Sequence, residues 1–163
     1  MSGSTTVRQQ VIDAAEAALR GIAPNVLPTG VNVYRSPAGN ISEFISGLEL
    51  PDGPFQAIIL RPSDDTDVDE SGDSIGRDLE LSLIVVTQGA DSSTVPLDVT
   101  LESLLLYANT TLLVDPAFTA MVSMIHTGKI EWDFETGVDS TAAACMKMQA
   151  QYRHARNDMT TLA

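Results

Sequence analysis

Lys129-Ile130-Glu131-Trp132-Asp133-Phe134-Glu135 and, a few residues on, Ala142-Ala143-Ala144-Cys145-Met146-Lys147-Met148-Gln149-Ala150-Gln151-Tyr152-Arg153 decide the fold. In the first stretch Ile130, Trp132 and Phe134 alternate with Lys129, Glu131, Asp133 and Glu135. In the second, Ala142, Ala144, Met146, Met148, Ala150 and Tyr152 alternate with Lys147, Gln149, Gln151 and Arg153. A period of two gives each arm one apolar and one wet face, so both read as strands. Thr136-Gly137-Val138-Asp139-Ser140 lies between them, and Gly137 can take the positive φ of a hairpin loop. Only pairings whose residue numbers sum to an even value bring Trp132 and Phe134 to the face of Met146 and Met148. One such register sets Glu131 opposite Lys147, a charge pair worth up to about 1 kcal/mol.

Working back from this hairpin, Arg77-Asp78-Leu79-Glu80-Leu81-Ser82-Leu83-Ile84-Val85-Val86-Thr87 alternates and then becomes wholly apolar, as a strand does on entering the middle of a sheet. Phe55 to Arg61, bounded by Pro54 and Pro62, reads as a second central strand, and Val31 to Arg35 as a short one. Ser36 to Asn40 is turn chemistry, and Ile41 to Ile45 reads equally as a helical turn or an irregular segment. Thr6 and Gln9 form a capping box for a first helix with Val7, Val11, Ala14, Ala15, Ala18, Leu19 and Ile22 on its apolar face, ending near Gly21 and Pro24. That alanine-rich face suits close packing on a sheet, or on a neighbouring subunit. Pro96 opens a second helix whose core stripe is Leu97, Leu101, Leu104, Leu105, Ala108 and Leu112, with Asp98, Glu102 and Asn109 outside. Asp115-Pro116 starts a short segment carrying Phe118, Met121 and Met124. The expected fold is α+β: a single domain over residues 1–163, an antiparallel or mixed sheet with two principal helices packed on it and a long C-terminal β-hairpin. A chain of 163 residues buries about 70% of its unfolded surface and needs no staples.

Between the strands at Phe55 and Arg77 lie Asp64, Asp65, Asp67, Asp69, Glu70 and Asp73, with Val68 the only apolar side chain among them. Such a run repels itself, so residues 63–76 are expected to form a solvated acidic loop, the tip of an overgrown hairpin. Asp65, Asp67 and Asp69 mimic the first three ligand positions of a calcium loop. The match fails at Glu70, where glycine is required, and at Gly76, where a bidentate glutamate is required. They remain weak metal candidates, and no cofactor is expected.

The net charge is −13, from 22 acidic and 9 scattered basic residues. That composition offers no positive stripe for phosphates, so direct DNA binding is not expected, and DNA sliding past without sticking is compatible with it. The single Cys145 excludes an internal disulfide framework and reads as a packing residue. No signal peptide is visible, and the apolar runs fall short of the about 18 residues of a membrane span. The expectation is a soluble protein that stays where it is made and does not engage a membrane. His126 reads as part of a connection, and His154 as lying just past the last strand. Neither sits in a nucleophile motif, and no phosphate loop or zincin helix is present, so no enzyme is expected.

The chain resembles the tail-terminator proteins of long-tailed bacteriophages, the lambda minor tail protein U type. The likeness lies in the Val-Arg-Gln-Gln-Val-Ile-Asp-Ala-Ala helix from Val7 leading to Val31-Asn32-Val33-Tyr34-Arg35. It continues through the strand Phe55 to Leu60, the Arg77 to Leu83 strand, Asp115-Pro116, and the closing Ile130-Glu131-Trp132 and Ala150-Gln151-Tyr152 arms. The resemblance implies a small α+β subunit of a homohexameric ring in the virion, built in the host cytoplasm. Such a ring sits at the head-proximal end of the tail, stops growth of the tube and presents a surface for head-tail joining. Its partners would be other copies of itself, the tail tube protein and a head-proximal neck or connector protein, with DNA passing through its channel. The acidic segment Asp64, Asp65, Asp67, Asp69, Glu70 and Asp73 is the candidate channel-facing or partner-facing element, since carboxylates repel DNA. Two alternatives stand beside this: another neck or head-completion component, or a small module that holds a cation or basic partner with the acidic loop.

Overall fold

A computed structural model describes residues 5–21, 30–35, 55–89, 97–135 and 140–163. In chain order the elements are α1 (Val7–Leu19), β1 (Val31–Arg35), β2 (Phe55–Ser71), β3 (Ser74–Gly89), α2 (Leu97–Val114), α3 (Pro116–Met121), β4 (Met124–Glu135), β5 (Ser140–Ala155) and β6 (Asp158–Leu162). The strands form one mixed sheet in the order β1-β2-β3-β5-β4, with β6 also paired to β5. Among the described residues only the β1–β2 pair is parallel. This is the expected α+β architecture, with a third, short helix. The predicted turn at 36–40, the ambiguous 41–45 segment and the loop around Gly137 lie outside the described residues.

α1 and α3 begin with the caps their sequences predict, whereas Pro96, expected to open α2, lies outside the described residues. Thr6 Oγ1 accepts from Gln9 N at 3.2 Å, but the return half of the capping box is missing, because Gln9 Nε2 donates instead to Asp13 Oδ1 at 2.8 Å. Gly21 takes φ +83° just past the helix, where a residue with a Cβ would be strained. Asp115 caps α3 through Phe118 N at 2.8 Å with Pro116 in the first turn, and Phe118 is fully buried. No helix is long and apolar enough to cross a membrane among the described residues.

The core fills one face of the sheet. Val7, Val11, Ile12, Ala15, Ala18 and Leu19 of α1, and Leu101, Leu104, Leu105, Ala108 and Leu112 of α2, join a single cluster with Ile58, Leu60, Leu79, Leu81, Leu83, Val85 and the apolar side of β5. The alanines of α1 thus meet neighbours within the same chain. A smaller cluster of Ile59, Ile84 and Val86, with Tyr34, Ala143 and Cys145 against it, occupies the opposite face.

Three expectations are corrected. Residues 63–76 are not a loop: β2 runs to Ser71 and β3 begins at Ser74, joined at Gly72 and Asp73 with Gly72 at φ +55°. The strands continue because basic side chains from α1, β3 and β5 meet the carboxylates. The hairpin keeps the even-sum parity, with Ile130 opposite Met146 and Trp132 opposite Ala144. Glu131, however, faces Cys145 rather than Lys147, and an irregularity between Thr127 and Ile130 shifts the pairing nearer the start of β4. Lys147 approaches Glu80 at 3.9 Å, and Glu131 approaches Lys129 at 3.4 Å. His126 lies within β4 opposite Gln149, and His154 within β5, where it is 2% exposed.

Candidate functional site

The acidic segment becomes a stiff arm whose carboxylates are held one by one. Asp65 accepts from the Tyr152 hydroxyl at 2.6 Å and has Arg8 Nε at 3.6 Å. Asp67 pairs with Arg77 at 2.5 Å, Asp69 with Arg153 at 3.2 Å, and Glu70 with Arg156 at 3.2 Å. Asp64 and Asp73 are exposed, and the Asp73 carbonyl accepts from Arg156 N. Gly76 admits Arg153 across the strand, since a Cβ there would meet the guanidinium at 3.2 Å. Asp65, Asp67 and Asp69 therefore do not converge, and among the described residues no group of three His, Cys, Asp or Glu side chains could hold a metal.

Burial, then the hydrogen bond to Asp65 and its charge, push the Tyr152 phenol well above its ordinary pKa. Arg77 Nε donates to His154 Nε2 at 3.0 Å, while Nδ1 lies 2.8 Å from the Ala155 carbonyl. Both ring nitrogens are thus committed, with the proton on Nδ1.

On the sheet face away from the helices, register puts Arg61, Ser82 and Lys147 in one row across β2, β3 and β5. Ile59, Ile84, Cys145 and Glu131 form the next row. A groove of about 610 Å³ opens over these rows, with Ile84, Ala143 and Cys145 among its apolar lining and Arg61, Glu80, Glu131 and Lys147 among its charged lining. Burial pushes the Cys145 thiol above its ordinary pKa, which disfavours the thiolate needed for nucleophilic chemistry. Neither histidine lines this groove. What it offers is an apolar floor with cations set into it.

Arg61 is the arginine that, among the described residues, has neither an ion pair nor a hydrogen bond. Arg8, Arg20, Arg35, Arg77, Arg153 and Arg156 all have ion-pair partners. Sequence reading passed over Arg61 as the last residue of an apolar strand. The signal was available in its alternation with Ile59, which puts both on one face. Compared with known proteins, the chain matches no family model and no curated sequence.

Proposed function

We propose that this chain is a structural subunit that closes into a ring on the head-proximal end of a phage tail tube, ends tube growth and receives the neck. The observation that carries self-assembly is the outer surface of α2. Leu106 is 67% exposed, and Val99 and Leu113, seven residues to either side, are also exposed. Seven residues advance a helix by nearly two full turns, so the three side chains form one stripe turned from the sheet. A helix apolar on two sides is expected to be covered on both. On the edge strand β4, Ile130 and Trp132 are exposed too, and Trp132 also lines the groove. The tail itself enters through the likeness of the α1-to-β1 passage and the closing hairpin to tail terminators. The arginine-held carboxylates of the arm make a cation module the weaker reading.

The test is to add the purified protein to tail-tube subunits polymerising in vitro and to image the products. Short tubes with a six-fold ring at one end are expected. Tubes that grow to the same lengths with and without the protein, with no ring in the images, overturn the proposal. A ring that binds the neck but leaves tube length unchanged assigns the chain to another neck component.

A further inference from the structure

The α2 stripe and the Arg61 groove lie on opposite sides of the molecule, and their chemistry matches. The stripe of Val99, Leu106 and Leu113 is apolar, its exposed charged neighbours are Asp98 and Glu102, and α2 contains no basic residue. The groove has an apolar floor of Ile84, Ala143 and Cys145, with Arg61 and Lys147 at its row of cations. Glu80 and Glu131 also line it, but Glu80 has Lys147 at 3.9 Å and Glu131 has Lys129 at 3.4 Å, so each carboxylate has a cation beside it. Arg61 has no such partner among the described residues, and a guanidinium at the edge of an apolar floor is a seat for a carboxylate.

We infer that the Arg61 groove receives α2 of a second copy of this chain, with Leu106 and its stripe over Ile84, Ala143 and Cys145, and Glu102 or Asp98 on Arg61. The occupant is a second copy because this one chain carries both an acidic apolar helix face and a groove whose Arg61 has no ion-pair partner among the described residues. The two surfaces differ, so the contact is heterologous and repeats from copy to copy until it closes. The inference rests on reading the chain as a self-assembling subunit, and it names the interface.

Cys145 is the only cysteine in the chain and lies in the groove, which makes a direct test available on this chain. In the Leu106→Cys variant, a short bis-maleimide is expected to join position 106 of one copy to Cys145 of the next and give a ladder of multimers on a denaturing gel. The wild type and the Leu106→Cys/Cys145→Ser double variant should give no ladder. Arg61→Glu should weaken assembly by about tenfold, and adding Glu102→Arg should restore it, with thermal melts confirming that each variant folds. Particles of unchanged mass in Arg61→Glu, with no 106–145 cross-link, overturn this interface while leaving ring assembly standing. A cross-link that persists without Cys145 overturns it in favour of two α2 helices meeting face to face. A chain that stays monomeric at every concentration and never cross-links overturns it outright.

Discussion

Tyr152 lies on the buried side of β5, where its period-two pattern put it, and its ring is 1% exposed. Its hydroxyl reaches Asp65, 87 residues earlier in the chain, and no local pattern indicates that contact. Replacing Tyr152 by phenylalanine should cost about 1–3 kcal/mol, since a charge-assisted bond is lost and a carboxylate loses a donor; chemical denaturation measures it. The same contact has a pH signature. The folded phenol's pKa is raised above its ordinary value of 10.0, so its contribution is fully present below that value and is lost as pH rises past it. Denaturation midpoints should therefore begin to fall only above about pH 10 in the wild type and fall less in Tyr152→Phe. His154 is the residue the sequence misplaced most. It follows a strand that visibly ends at Arg153 only because the alternation stops there, whereas the backbone pairing continues to Ala155 opposite Ser74. His154→Leu should destabilise the fold by about 1–3 kcal/mol, because Arg77 Nε loses its acceptor in a half-buried position.

At the scale of the element, the acidic arm shows why charge runs mislead. Six carboxylates between Asp64 and Asp73 read locally as a solvated loop. The cations that meet them come from residues 8, 77, 153 and 156, and only the packing of α1 and the β2–β3–β5 register gathers them. The apolar alternation that marks other strands is absent because both faces of the arm carry polar side chains. Exposed pairs contribute little each, about 0.2–1 kcal/mol. Arg153→Ala combined with Arg156→Ala should thus shift global stability by only about 1–2 kcal/mol, while hydrogen exchange speeds up across the arm relative to β5. By contrast, the start of the short helix α3 was legible from Asp115-Pro116, although Met124, read as part of the same segment, opens β4 instead. The anchor of α3 is deep, and Phe118→Ala should cost about 3–5 kcal/mol in a denaturant melt.

At the scale of the whole molecule, the layer order and the central strands followed from the sequence, and the surface of α2 did not. Val99, Leu106 and Leu113 were visible as apolar residues, but the stronger stripe from Leu101 to Leu112 already accounted for the helix. Which apolar positions were surplus became visible only once burial had been divided between the two sides. Leu106→Lys separates the two roles. It should leave the melting of the isolated chain within about 0.5 kcal/mol of wild type, as exposed sites usually do, and lower the assembled mass seen by light scattering.

β5 lies between β3 on one side and β4 and β6 on the other, yet it is made well after the β3 it pairs with. Cys145 pairs with Ile84 across some sixty residues of intervening chain. A chain still on the ribosome before Ala155 has emerged has β4 without its partner, and its β3 edge is open to any passing strand. Folding is consequently a late event governed by distant pairings and belongs with the slow, millisecond-to-second class. Emergence of β5 thereby sets the earliest moment at which a subunit can present either of its faces to another.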